Sequence, residues 1–559
     1  MERQFNLTAR ERRLPEELQM HVNVIFETGR RSLKSVINNL GIDLTPTEQA
    51  IIEAQLAQSE RLYAGAIRLA YILSDDSTKG KRFNPKRSVW FNLEGARWIE
   101  RARNVFTSPT LVWQLDGIPL LRQRGGLKEI FGASNQGLKG HFDGIFHDVL
   151  GSATSLNLGA EFPASSVIQS ILSFDGRGDN FCLPYHPGIH QIIAAEYFKS
   201  LYPNPEEVYF FSESSGTAVN SAAIEAVCAY GESVFPGKNP RVLQIDGTWC
   251  GGLGTAKEGT GFGVAKQVEN RGGPLWVDRC LPVPTAENKE LFLKIVKEKI
   301  ANGEATDVIL EPIVGDAGIV PADHQLVKEL VEVLREGTNG YSLPIIIDTV
   351  QQGTGRTGFY WRIDHLPELA SYSHLVLTTA KSALNGQPYG MMLIPKKIAE
   401  KAYPLSMITT NSGNGGLIRA MLVAEFVTQP KIQQIIDENA QIIDEVAQKF
   451  GLNLRGLRMN RGIDVGSKEL MELIQWHLLI KYGILVGALP GVIRFQPMLL
   501  EYPETIKNIT EATCRGILEV MENVKLTSDE TAVTLSPEIV PQEVINSFNS
   551  SKNPSGLNR

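Results

Sequence analysis

PIIIDTVQQGTGRTG, residues 344–358, runs three isoleucines into a carboxylate, Asp348, and then into a glycine-rich turn. The apolar run is continuous rather than alternating. A strand of that kind is covered on both faces, as in a parallel sheet with helices on each side. Five more runs read the same way: VYFFS (208–212), RVLQID (241–246), DVILEPI (307–313), HLVLTT (374–379) and GMMLI (390–394). Helical stretches and Gly-rich loops separate them, which predicts an α/β fold with a mostly parallel central sheet. Ligands in such sheets sit beyond the carboxyl ends of the strands. The residues just after each run are therefore the ones expected to carry chemistry.

Four of these ends are unusual. Ser212-Glu213-Ser214-Ser215-Gly216-Thr217 follows VYFF and opens a helical pattern, AVNSAAIEAVCAY. A small, Gly-containing turn at a helix start offers free N–H groups and a positive dipole end to an anion. Glu311 follows DVIL, and Asp348 follows PIII. A lone carboxylate there serves equally as a helix cap or a structural ion pair, since burial demands some partner. Lys381 follows HLVLTTA and precedes Ser382-Ala383-Leu384-Asn385-Gly386. Burial beside small residues would lower its pKa and make it a nucleophilic amine, although a lysine can also snorkel to solvent. A phosphate cradle, a buried acid and an amine together match pyridoxal phosphate. Its aldehyde needs an amine, its pyridine nitrogen an anion, and its phosphate N–H donors.

The same residues resemble the class III aminotransferases, fold-type I pyridoxal phosphate enzymes, over roughly residues 120–500. Asp348-Thr349-Val350-Gln351-Gln352-Gly353-Thr354-Gly355-Arg356-Thr357-Gly358 is similar to the family's D-E-V-Q-x-G-x-G-R-T-G. The resemblance implies that Asp348 pairs with the pyridine nitrogen and that Gln351 contacts the ring hydroxyl. Ala380-Lys381-Ser382-Ala383-Leu384-Asn385-Gly386 resembles the segment carrying the Schiff-base lysine. Lys396 and Lys397 follow the next strand and lack that small-residue context. Ser215-Gly216-Thr217 resembles the start of the phosphate-binding S-G-T-E-A-N-E, and Gly140-His141 resembles the L-G-H of the N-terminal arm. Thr410, in Thr409-Thr410-Asn411-Ser412-Gly413-Asn414, takes the place of a threonine that reaches the phosphate in a partner subunit's site, which implies a homodimer. Gly491-Val492-Ile493-Arg494-Phe495 resembles D-V-I-R-L, whose Arg clamps a substrate carboxylate; bidentate pairing supplies orientation as well as energy. Glu311-Pro312-Ile313-Val314-Gly315-Asp316 resembles E-P-I-Q-G-E, whose second Glu gates that Arg in the ornithine-type branch. Asp316 stands there, one methylene shorter.

Three departures alter the surroundings of the cofactor. E-A-N-E becomes Ala218-Val219-Asn220-Ser221, and the Asp-Glu pair becomes Asp348-Thr349. The ring-stacking aromatic of Y/F-H-G aligns with Ile245 in Ile245-Asp246-Gly247, with Trp249 as the alternative cover. An aliphatic cover forgoes the aromatic pairing contribution of roughly 0.5–1.5 kcal/mol.

The rest of the chain frames this centre. Residues 1–115 are expected to form a helical N-terminal extension, on segments such as PTEQAIIEAQLAQSERLYAGAIRLAYIL (46–73). A cofactor-binding large domain with its arm is assigned to 116–400, a connecting helix and smaller α+β domain to 401–525, and a polar, disordered tail to 526–559. Net charge of −7 opposes a nucleic-acid binder. No run of about 18 apolar residues exists to span a membrane. Five cysteines without C-x-x-C spacing suit a reducing cytoplasm better than a disulfide framework.

The expected function is transfer of an amino group between an amino acid or ω-amino acid and a 2-oxo acid. Two readings compete with it: another pyridoxal phosphate reaction (decarboxylation, racemisation, aminomutase or carbon–carbon chemistry), or a non-catalytic scaffold. Gly259-Thr260-Gly261-Phe262-Gly263 lacks the G-K-[ST] of a nucleotide loop. His186 and His190 are four apart but straddle Pro187 and Gly188, a poor metal pair.

Overall fold

The computed structural model describes Pro46 and residues 120–124, 127–133, 142–150, 154–155, 157–158, 189–261, 275–358, 360–361, 366–402, 416–428, 430–489, 491–523, 525–526 and 533–534. The expected N-terminal helical extension, Gly140-His141 and Thr410 lie outside these residues, apart from Pro46, which is helical.

In chain order the elements that matter are β1 (Leu120–Arg124), β2 (Leu127–Ala133), β3 (Phe142–Asp148), α1 (Ile189–Ser200), β4 (Val208–Glu213), α2 (Gly216–Val234), β5 (Arg241–Ile245), β6 (Val277–Leu281), α3 (Lys289–Ala301), β7 (Ala305–Leu310), β8 (Ile313–Val314), β9 (Val320–Pro321), α4 (His324–Glu336), β10 (Ile345–Asp348), β11 (Leu375–Ala380), β12 (Gly390–Pro395), α5 (Leu417–Val427), α6 (Pro430–Lys449), β13 (Leu454–Leu457), β14 (Asn460–Asp464), α7 (Lys468–His477), β15 (Ile484–Leu485), β16 (Gly487–Leu489), β17 (Val492–Phe495) and α8 (Pro503–Asn523).

Seven strands form the central sheet in the order β4-β12-β11-β10-β7-β5-β6. All six runs expected as strands are there: five match within one residue at either end, DVILEPI starts two residues after β7 begins and overruns its end by three, and β6 joins them at the edge. β12 alone runs antiparallel to both of its neighbours, β11 and β4. A hydrophobic run carries no direction, so the sequence could not distinguish this strand from the parallel ones. Every residue of β7, β10, β11 and β12 is buried, as doubly covered strands require. α2 covers this sheet: Ser215 caps it by accepting from Ala218 N at 3.2 Å, and Val219, Ala223, Ile224 and Val227 lie in the core. α4 starts at Asp323, which accepts from Leu326 N at 2.8 Å, and stops at Gly337 with φ 58°, a conformation glycine adopts freely.

A second sheet, β13-β14-β17-β16, belongs to the smaller C-terminal unit. A third, β1-β2-β3-β15, joins the segment 120–148 to β15, so that segment pairs with the C-terminal part of the chain. Beyond residue 525, where a disordered tail was expected, Lys525–Leu526 pairs with Val533–Thr534. No helix among the described residues is long and apolar enough to cross a membrane.

Candidate active site

Parallel register sets the geometry. Asp348 ends β10 opposite Thr378 of β11, and Lys381 lies three residues further along, just past the end of β11. β7 flanks β10 on the other side, with Ile347 opposite Leu310, so Glu311 leaves the sheet beside Asp348. Three neighbouring strands thus deliver two carboxyl groups and one amine to one place. Burial pushes the Lys381 pKa down, against the pull of Asp348 and Glu311, which favours a neutral, nucleophilic amine. Lys381 has φ 46°, a left-handed backbone that costs a non-glycine residue roughly 1–3 kcal/mol. Its carbonyl accepts from Gly386 N at 3.1 Å, closing the turn that holds it there.

Asp348 is gripped at both oxygens. Oδ1 accepts from Val350 N at 2.8 Å and Oδ2 from Asn220 Nδ2 at 2.7 Å. Burial raises its pKa, and these two bonds together with Lys381 hold it down. Asn220 also donates to the Cys250 carbonyl at 2.9 Å. Asn220 is the residue of Ala218-Val219-Asn220-Ser221 that the family motif retains, which was the available signal for it. Glu311 Oε2 accepts from Gly315 N and Gln352 Nε2, both at 3.1 Å. Burial first, and then the charge of Asp348, drives the Glu311 carboxyl well above the ordinary range. The pocket therefore favours one ionised carboxylate over two.

The N-terminus of α2 borders the same place. A Cβ on Gly216 would lie 3.1 Å from a Val350 methyl and 3.2 Å from the Ala380 Cβ, so this glycine lets the helix start approach both strand ends. Ser215 is exposed, while Thr217 Oγ1 accepts from Gly252 N at 3.4 Å. Gln351 Nε2 donates to Asp316 Oδ2 at 3.2 Å, and its buried Oε1 has no partner among the described residues. Asp316 also pairs with Arg494 in the centre of β17. Arg494 is 4 % exposed, and burial lowers its pKa to about 10. Its cross-strand neighbours are Gly462 and Gly487, and a Cβ at 487 would come within 2.9 Å of the Arg494 Cβ.

The side chain of Ile245 is 0 % exposed and belongs to the hydrophobic core at the end of β5. Trp249, in the loop that follows, is 40 % exposed, and that loop packs on Thr217 through Gly251 and Gly252.

The model of the class-III aminotransferase family matches residues 148–513, well over half of the chain. The chain belongs to this family. Pyridoxal phosphate dependence and amino-group transfer come with that membership. Among relatives, an acetylornithine aminotransferase of Prochlorococcus marinus is 29% identical over 307 residues, covering 53% of this chain and 70% of its own. A succinylornithine transaminase of Yersinia pseudotuberculosis is 28% identical over 350 residues, with 57% and 76% covered. The solved ornithine aminotransferase of Toxoplasma gondii shares the fold with a TM-score of 0.61 at 17% identity, over 77% of this chain and 96% of that one. The pyridoxamine phosphate-bound aminotransferase of Vibrio fluvialis does so at 0.63 and 15%, over 76% and 98%.

The residues present suit the cofactor of the family. A buried amine and an ionisable carboxylate meet from adjacent strands, and an open helix N-terminus adjoins both. The orphaned Gln351 Oε1 is an acceptor without a donor, as a ring hydroxyl would supply.

Proposed function

We propose that this protein moves an amino group between a carboxylate-bearing amine, an amino acid or ω-amino acid, and a 2-oxo acid. The observation that carries this reading is the convergence of Lys381, Asp348 and, through Gln351, the Arg494–Asp316 pair beyond the carboxyl ends of the central strands. When bound, pyridoxal phosphate supplies an aldehyde for the amines and an electron sink for the adjacent carbon. Lys381 would hold the aldehyde end. Once displaced, its neutral Nζ would take a proton from the substrate carbon and return one, as general base and then acid. Asp348 would keep the pyridine nitrogen protonated, its own ionised state secured by Asn220 and Val350 N. Ser215, Gly216 and Thr217 would receive the phosphate at the start of α2, and Trp249 would lie over the ring.

Arg494 would receive the substrate carboxylate, and Asp316 is the internal anion that occupies it beforehand. A substrate that brings a carboxylate can replace Asp316, whereas one without leaves the pair closed. The names of the relatives, which concern ornithine derivatives, favour an ω-amino donor. We place the enzyme in a reducing, cytoplasmic compartment, consistent with four free cysteines among the described residues. We also assign it a homodimeric working form, in which Thr410 would reach the phosphate of the partner subunit.

The test is an amine-donor screen on cofactor-loaded protein with a 2-oxo acid acceptor, read as the amino acid formed. Transfer from ω-amino acids is expected. Carbon dioxide release or racemisation without amino transfer would replace this reading with another reaction of the same cofactor.

A further inference from the structure

Arg356 stands eight residues beyond Asp348 and is wholly buried. Its guanidinium is shared among three separate parts of the chain. Nε and Nη2 donate to Asn157 Oδ1 at 2.9 and 2.7 Å. Nη1 donates to the carbonyls of Met459 at 2.8 Å and Pro497 at 3.0 Å. Its own carbonyl accepts from Met459 N at 3.4 Å. Asn157 in turn donates to the Gly353 and Thr354 carbonyls at 3.4 and 3.1 Å, and its carbonyl accepts from Leu499 N at 2.9 Å.

The places gripped are not random. Met459 leads directly into β14, and Pro497 lies two residues beyond the end of β17. These are the two strands that pair at Gly462 and Arg494. Arg356 itself closes the loop that begins at Asp348 and carries Gln351. Burying a guanidinium costs heavily unless its donors are used, so an arginine kept here must contribute something that an apolar residue would not.

We propose that Arg356 is a positioning residue that fixes the Arg494 carboxylate clamp relative to the cofactor cradle, by pinning the entry of β14 and the exit of β17 to the loop after Asp348. Resting on the functional reading above, it assigns the substrate-carboxylate distance to a residue that touches neither substrate nor cofactor. The planar fork is what the task needs, because three nitrogens reach three oxygens in different segments. A lysine ammonium is a single point and cannot reproduce this.

The experiment compares Arg356→Lys and Asn157→Ala with the unaltered full-length, cofactor-loaded chain. The donor half-reaction is followed without a 2-oxo acid, whose own carboxylate would need Arg494, using two donors, one ω-amino acid and one primary amine lacking a carboxylate. Hydrogen exchange is followed in peptides covering 459–464 and 492–499. A displacement of about 1 Å costs up to ~100-fold in such a site. KM for the ω-amino acid should rise about 10- to 100-fold in Arg356→Lys, with kcat within about 3-fold. The carboxylate-free donor should be unaffected, and both peptides should exchange faster. Asn157→Ala should move the same quantities less, since both small-domain carbonyls keep their bonds; it carries the test alone if Arg356→Lys does not fold. Equal losses for the two donors, or faster unfolding with unchanged KM, would overturn the proposal. If the unaltered protein transfers no amino group from any donor, the functional reading fails instead. In that case exchange decides: unchanged protection at 459–464 and 492–499 refutes the pin, and lost protection keeps it.

Discussion

Replacing Asp316 by alanine should make this protein less stable and, at the same time, a better binder of carboxylates. Arg494 is 4 % exposed and Asp316 7 %, so their pair is a buried one. Removing one partner of such a pair costs about 3–5 kcal/mol, because the remaining charge is left uncompensated. The lower figure applies, since the space vacated by the carboxylate can admit water. Over residues 148–513, an unfolding entropy of about 2.1 cal/mol/K per residue turns 3 kcal/mol into a melting-temperature loss of roughly 4 °C. A bound 2-oxo acid no longer has to displace Asp316, and 3 kcal/mol corresponds to about 100-fold in affinity. Calorimetry on the unaltered and Asp316→Ala proteins, each with and without a 2-oxo acid, reads both quantities. The variant should melt lower alone, bind at least tenfold tighter, and recover its melting temperature with ligand. Weaker binding, or an unchanged melting temperature, would show that Asp316 does not compete for Arg494.

Two further outcomes are specific. Asn220→Ala removes the 2.7 Å bond to Asp348 Oδ2. A hydrogen bond to a charged group contributes about 1.5–3 kcal/mol, so kcat/KM should fall about 10- to 100-fold and the cofactor dissociate more readily, measured by turnover and by equilibrium dialysis. His374 is held neutral by burial and by the charge of Lys397, with its pKa lowered to about 4; its ring meets Tyr230 OH at 3.4 Å and Ser373 Oγ at 3.2 Å. The folded value lies below the unfolded one of about 6.5, so the unfolded chain binds the extra proton and stability falls as pH drops from 6.5 towards 4. Urea midpoints should decline across that window, and His374→Gln should flatten the decline.

Much of the site was legible in the sequence because its chemistry sits at strand ends. Asp348 and Lys381 stand where long apolar runs stop, and the spacing of small residues around them matches a known motif. Glu311 was visible as a terminal carboxylate, but its closeness to Asp348 was not. That closeness depends on β7 lying beside β10, and strand order is not written in the runs themselves. The direction of β12 was hidden for the same reason. Which side chain near the end of β5 covers the ring was not legible, because the loop that follows holds several glycines and the sequence does not separate core Ile245 from half-exposed Trp249. Arg356 was quoted within a motif, yet its role depends on Asn157, Met459 and Pro497, which are distant in sequence and meet only when the chain folds.

Borohydride reduction of the cofactor-loaded protein followed by peptide mapping is the most direct measurement of all. The phosphopyridoxyl mass should appear on the peptide containing Lys381 and vanish in Lys381→Ala. Attachment at Lys396 or Lys397, or continued trapping in Lys381→Ala, would contradict the assignment of the amine on which every other role in this site depends.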